Sequence, residues 1–270
     1  MVFIAIILGM AIGGFPAYGN EIATICLILA MTISIADMPL KIDIKKEVRG
    51  FFYAFLLNYV FLSSLILLMG FLTKKYWEGF VVMASAPPAI AIVPISSILK
   101  GEKDIIFSII FLYLVSIFLM PLMIFIFLAK EINFTPLIKN IFLLILLPIL
   151  LSRIFPKSDR MPSILLFFVI FAIVGENREF ILQSPSILLV LCLVMTIRTF
   201  GIAKIVRIIS KKFGIENRRS INYALFSSFK NEGLTMLIAS SLFGYEAAIP
   251  SIVALIFEML LVCCMEAKIF

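Results

Sequence analysis

The residues of this 270-residue chain best equipped for chemistry lie where carbon is expected. In "YALFSSFKNEGLTMLIASSLFG", Tyr223 to Gly244, an ammonium (Lys230), an amide (Asn231), a carboxylate (Glu232) and a glycine (Gly233) follow one another inside an otherwise mostly apolar run. Glu258 stands alone in "VALIFEMLLV", and Arg198 in "VMTIRTFGIAKI". A charge at the centre of a bilayer costs roughly 3 kcal/mol on insertion scales, so such groups pair, face the interior and mark ion or substrate paths. Three roles are open to Lys230. It is a fixed cation neutralised by Glu258 or Glu232, a group that releases and takes up a proton during a cycle, or half of a static Lys–Glu pair that locks two helices. Arg198 either faces an anionic substrate or snorkels to the headgroups from near the end of its segment.

Other chemistry is excluded by what the chain lacks. It has no histidine, and Cys26, Cys192, Cys263 and Cys264 show no C-x-x-C spacing, which removes zinc, histidine-ligated haem and histidine-based triads. No phosphate-cradling glycine loop is present. With no nucleophile and base together, the chain is read as a non-enzyme with no catalytic residues, no metal and no cofactor beyond a coupled sodium ion or proton.

The elements that must position these groups follow from composition. Hydrophobic residues make up 63% and charged residues 14%, which is a membrane composition. A span of about 19 residues crosses roughly 30 Å of hydrocarbon. Ten segments satisfy the pattern: Met1–Pro16, Ala23–Met38, Gly50–Leu72, Gly79–Leu99, Ile105–Leu128, Leu137–Ile154, Pro162–Val174, Ser186–Val206, Ile221–Phe243 and Ala247–Met265. Connections are short, so residues 1–270 read as a single membrane domain. "MVFIAIILGMAIGGF" has no positive charge ahead of its apolar run, unlike a secretory signal, and is expected to be retained as the first helix.

Basic loops stay cytoplasmic. With ten spans, sixteen lysines and arginines fall on the side that holds both termini and five on the other, while Arg198 and Lys230 lie inside spans. Both termini are therefore expected in the cytoplasm of a multi-pass plasma-membrane protein. The net charge of +7 reads as a topology signal, with no nucleic-acid partner. Asp37 is expected at the end of the second helix, and Glu176, Arg178 and Glu179 in a solvated loop.

Two segments are interrupted. Pro87 and Pro88 in "FVVMASAPPAIAIVPISSILKG" remove two backbone donors and push Ala86 out of the helical region. The other break is Lys230–Gly233. They fall in the fourth and the ninth segments. Five spans per half insert the halves with opposite orientation, so the pattern predicts an inverted repeat, about 1–130 and about 131–270, with a broken helix in each copy. Secondary transporters use this design, and their freed backbone groups bind substrate and ions. Ser85, Ser96, Ser97, Ser116, Thr196, Ser227, Ser228 and Thr235 could line a path, although serines in membrane helices mostly bond their own backbone.

"LILAMTISIADMPLKIDIKKEVRGF", "VVMASAPPAIAIVPISSILKGEKDI" and "SSFKNEGLTMLIASSLFGYEAAIPSIVALIFEMLLV" resemble stretches of the bile acid:sodium symporter family, within the bile acid, arsenite and auxin carrier superfamily. The resemblance spans almost the whole chain on short motifs. It implies ten helices, a core domain of helices 3 to 5 and 8 to 10, a panel domain of helices 1, 2, 6 and 7, and two broken helices crossing in the core. It also implies sodium ligands that this chain lacks. Phe226 and Lys230 stand where the family has a glutamate and a glutamine, and Ile92 and Val93 where it has serine and asparagine, while Asn231 and Gly233 keep the motif. The usual two-sodium coupling is not expected to survive as a divergent member loses these oxygens. Glu258 matches a glutamate of the related arsenite carriers, but no cysteine stands beside the fourth-helix proline, which disfavours arsenite.

The sequence thus predicts an all-α membrane transporter that carries a small or amphipathic organic anion by alternating access. Substrate would bind near Lys230, Asn231, Glu232, Gly233, Glu258, Pro87 and Pro88, with Arg198, Ser96, Ser116 and Ser228 as weaker candidates. Its partners are that anion and the lipid bilayer, and no oligomer is required. The alternative is a non-transporting receptor or structural protein on the same fold.

Overall fold

The computed structural model describes residues 1–36, 44–102, 105–128, 134–158, 160–183 and 185–267. Asp37, with the basic residues Lys41, Lys103, Lys130 and Lys268 used for the topology argument, lies outside the described residues. Among the described residues there are helices and no strands. This is what lipid demands of an apolar chain, since a helix satisfies its own backbone polar groups. Five helices among the described residues are long and apolar enough to cross a membrane: Gly19–Ala36, Gly50–Thr73, Ile105–Leu128, Pro185–Lys212 and Tyr245–Glu266. Shorter apolar helices cover Val2–Ile12, Thr135–Leu151, Met161–Glu176 and Glu232–Phe243. Large apolar side chains point outward along them, Phe118, Leu72 and Leu189 among them.

The predicted segments and the observed helices differ at their ends for local reasons. The first helix stops at Ile12 because Gly13 turns left-handed (φ 96°), its N–H closing on the Gly9 carbonyl at 2.9 Å. The eighth runs on to Lys212, because the helical period outlasts the hydrophobicity. The expectation of a solvated loop at Glu176–Glu179 is corrected. Met161–Glu176 stays helical to Glu176, and Arg178–Gln183 is helical again. Asn177 between them is buried and donates its side-chain amide to the Ile173 carbonyl at 2.8 Å.

The helices sort into two groups. Val2–Ile12, Gly19–Ala36, Leu147–Leu151 and Met161–Glu176 pack on one another. Glycines let the first and last of these touch backbone to backbone, since a Cβ on Gly9 would stand 3.1 Å from the Phe171 carbonyl oxygen and one on Gly175 would collide with Gly14. In the second group Trp77–Ser85 is central. It packs against Ser63–Thr73, Ile105–Leu128, Glu232–Phe243 and Ile249–Glu266. Glu232–Phe243 touches both groups.

Among the described residues, three helices contain π-helical stretches, at Leu56–Leu62, Phe142–Leu146 and Ile197–Gly201. Such wide turns leave local backbone groups poorly matched and often mark functional positions. Both expected breaks are present. Trp77–Ser85 ends at Ala86, which is extended (φ −71°, ψ 153°) as a residue before proline should be, and the chain resumes helix at Ile92–Ile98. Asn217–Phe226 and Glu232–Phe243 flank the second break.

Candidate functional site

The two interrupted segments meet. The Asn231 N–H donates to the Pro87 carbonyl at 2.8 Å, so the unwound stretches touch backbone to backbone. The Asn231 side chain then caps the next half-helix, its Oδ1 accepting from the Leu234 N–H at 3.0 Å while its Nδ2 donates to the Tyr113 hydroxyl at 2.6 Å.

Each break frees carbonyls, and side chains from the opposite break and from the helix that carries Asn58 and Ser63 take them. Pro88 has no N–H, so the Ala84 carbonyl lacks its helical donor. The Lys230 ammonium donates to it at 3.1 Å and to the Ala86 carbonyl at 2.8 Å. The same Nζ reaches Asn58 Oδ1 at 2.9 Å and Ser63 Oγ at 3.0 Å, and lies 4.6 Å from the centre of the Tyr59 ring. Thus four oxygens share its three hydrogens, and an aromatic face closes the cage. The Ser63 hydroxyl also stands 2.6 Å from the Ala84 carbonyl oxygen. At the other break, the Phe226 and Phe229 carbonyls both accept from Asn58 Nδ2 at 2.9 Å. The Lys230 backbone N–H, the helical donor that Phe226 has lost, bonds Glu258 Oε1 at 3.1 Å instead.

The expected Lys230–carboxylate pair is corrected. The ammonium's partners are neutral oxygens, and both acids belong to Arg198. Arg198 Nη2 donates to Glu232 Oε1 at 2.9 Å, and Nη1 stands 2.9 Å from Glu258 Oε1. Snorkelling of Arg198 is likewise contradicted, since its relative exposure is 0%. The π-helical stretch Ile197–Gly201 turns this side chain inward, and two carboxylates hold it there. Thr235 completes the group, its hydroxyl within 3.0 Å of Glu232 Oε2 and 2.8 Å of Ser251 Oγ. Lys230 and Glu232 therefore point apart, the former into the oxygen cage and the latter to Arg198, as an unwound stretch permits. The four charges are formally self-neutralising, two cations against two carboxylates, all buried.

Gly233 and Pro87 lie at the same meeting point. A Cβ on Gly233 would stand 3.2 Å from Leu27 Cδ1 and 3.6 Å from Leu166 Cδ1, so this glycine faces the first helix group. Pro88 acts through its missing donor. The weaker candidates divide. Ser116 and Ser228 are buried and donate to the Tyr113 and Ala224 carbonyls at 2.6 and 2.7 Å, the local bonding expected of membrane serines. Ser85, Ser227 and Thr196 do the same with Val82, Ala224 and Cys192. Ser97 is exposed. Ser96 instead donates to Asn222 Oδ1 at 2.5 Å, tying Ile92–Ile98 to Asn217–Phe226 away from the charges.

Sequence reasoning passes over Asn58, Tyr59, Ser63, Tyr113 and Ser251. Asn58 carried a signal, a lone amide in an apolar segment. Ala84 and Ala86 contribute only carbonyls, which no side-chain pattern reveals. No protein-family model matches the chain, and no curated protein matches it either. Fold and site define a class: a helical protein with membrane-length apolar helices and a buried, self-neutralised charge cluster where two interrupted helices touch.

Proposed function

We propose that the chain is a secondary active transporter of a small or amphipathic organic anion, working by alternating access, in which the Lys230 ammonium serves as a built-in cation. The observation that carries this is the oxygen cage around Lys230 Nζ, made of two half-helix carbonyls, an amide oxygen and a hydroxyl at 2.8 to 3.1 Å. A desolvated monovalent cation at the end of a broken helix asks for the same surroundings. Ten helices in two inverted five-helix repeats, about 1–130 and about 131–270, fit this reading. The breaks take matching places in the two halves, and so do the π-helical stretches that carry Asn58 and Arg198. The resemblance to the bile acid:sodium symporter family points the same way, with the first helix group as panel and the second as core. Because the charges already balance, transport needs no sodium to neutralise the crossing. A second reading, a non-transporting receptor or structural protein, is favoured by one observation, that the ammonium's hydrogens are all satisfied within the protein.

The test is organic-anion flux into proteoliposomes, with candidate anions first found by thermal shift. Wild type takes up the anion without an imposed sodium gradient. Lys230→Ala vacates the cage, and sodium chloride, but not choline chloride, then raises its melting temperature. Strong sodium dependence of wild-type flux overturns the built-in cation. A pH-gradient response that disappears in Lys230→Ala assigns Lys230 to proton transfer instead. Absence of both stabilising anions and flux favours the second reading.

A further inference from the structure

A cavity of about 650 Å³ lies away from the crossing, between the Ile202–Lys212 helix and the start of Asn217–Phe226. We propose that it binds the phosphate of an anionic phospholipid headgroup. Lys204, Arg207 and Lys211 line it, spaced three and four residues apart so that they share one helix face. Asn217 and Ser220 line it from the other side, and no carboxylate is among the lining residues. Arg207 is held in place, its Nη2 donating to Asn217 Oδ1 at 3.0 Å. Asn217 also opens a ten-residue helix, and the first N–H groups of a helix carry partial positive charge that favours a phosphate. Gly214 (φ 67°) makes the turn that brings the two walls together.

The surroundings decide between a lipid and a soluble phosphate. The lysines mark the polar end of the Pro185–Lys212 span, where hydrocarbon gives way to headgroups. Ile205, Ile208, Ile209 and Phe213 of the same stretch are exposed, Phe213 at 76%. An acyl chain can lie along these side chains while its phosphate reaches the lysines, whereas a free phosphate gains nothing from them. Basic pockets between helices at a membrane face recognise headgroups through this combination.

Native mass spectrometry of the purified full-length protein in detergent tests the assignment. Phosphatidylglycerol, phosphatidylcholine and soluble glycerol 3-phosphate are titrated separately. Wild type retains phosphatidylglycerol over phosphatidylcholine. Lys204→Gln/Lys211→Gln binds it roughly 25-fold more weakly, from two basic groups worth about fivefold each. Lys204→Arg/Lys211→Arg keeps the preference, and Lys139→Gln, an exposed lysine on a different helix, leaves binding unchanged. Equal retention of both lipids, or an unchanged affinity in the double glutamine variant, overturns the site. Glycerol 3-phosphate bound as tightly as the lipid overturns the lipid assignment.

Discussion

Arg198 shows why a buried charge must be judged by its whole neighbourhood. Its guanidinium lies 2.9 Å from both Glu232 and Glu258, while Lys230 spends its hydrogens on neutral oxygens. Removing Arg198 leaves two buried carboxylates with Lys230 as the cluster's one cation, a negative charge in excess, and breaking a buried pair in this way costs about 3–5 kcal/mol. Arg198→Gln is therefore expected to unfold at markedly lower temperature in detergent. The Arg198→Gln/Glu232→Gln variant restores the charge balance, because Glu258 and Lys230 then offset one another. It should recover a large part of the lost stability, despite carrying one substitution more. If the double variant is less stable than Arg198→Gln, the acids are not charge partners of the arginine.

The helices bring these residues together through irregularities. A proline pair frees the Ala84 carbonyl, a break frees those of Phe226 and Phe229, and Asn58 serves both sides, donating to the two phenylalanine carbonyls and accepting from Lys230. Asn58 lies in the π-helical stretch Leu56–Leu62, so a widened turn in one helix caps two interrupted ones. Asn58→Leu keeps the volume and removes all three bonds. It should destabilise the protein by about 2–3 kcal/mol, the cost of unsatisfied buried carbonyls, measured by thermal unfolding against wild type. Asn58→Asp, which keeps an acceptor for Lys230 and loses the donor, should fall between the two; an unaltered Asn58→Leu would mean that water replaces the amide. The sequence announces the breaks, since Pro87–Pro88 and Lys230–Gly233 cannot continue an apolar helix. It does not announce their contents. Backbone carbonyls carry no sequence signal, and in "LLNYVFL" the lone amide of Asn58 is visible while the widened π-helical turn that aims it is not. The sequence therefore offers Lys230 a carboxylate partner, Glu258 or Glu232, whereas the partners of its ammonium are at positions 58, 63, 84 and 86.

For the molecule as a whole, cross-links between distant loops identify which connections share an end, and the charge asymmetry makes the side of each end testable. Arg219 holds Glu102 through two bonds, at 2.5 and 3.1 Å, and Asn222 Nδ2 donates to the Glu102 carbonyl at 2.8 Å. The turn after Ile92–Ile98 and the turn before Asn217–Phe226 are therefore neighbours, and they gather Lys100, Lys211, Lys212, Arg218 and Arg219. Other contacts bring together a less basic set. Asn20 bonds the Tyr245 hydroxyl at 3.0 Å, and Asn140 bonds Ser241 at 2.5 Å. The Trp77–Ser85 helix packs on the Tyr245–Ala248 turn, where a Cβ on Gly79 would collide with the Ala247 carbonyl oxygen, so the start of that helix belongs with this second set. Positively charged connections resist translocation, so we propose that the first set faces the cytoplasm. In a background with the four native cysteines replaced, a membrane-impermeant maleimide should label Lys74→Cys and Lys139→Cys on intact cells. Lys100→Cys and Arg218→Cys should react only after permeabilisation. The reverse pattern would invert the molecule, and labelling of all four from outside would mean that the two sets of connections do not face opposite sides of a membrane.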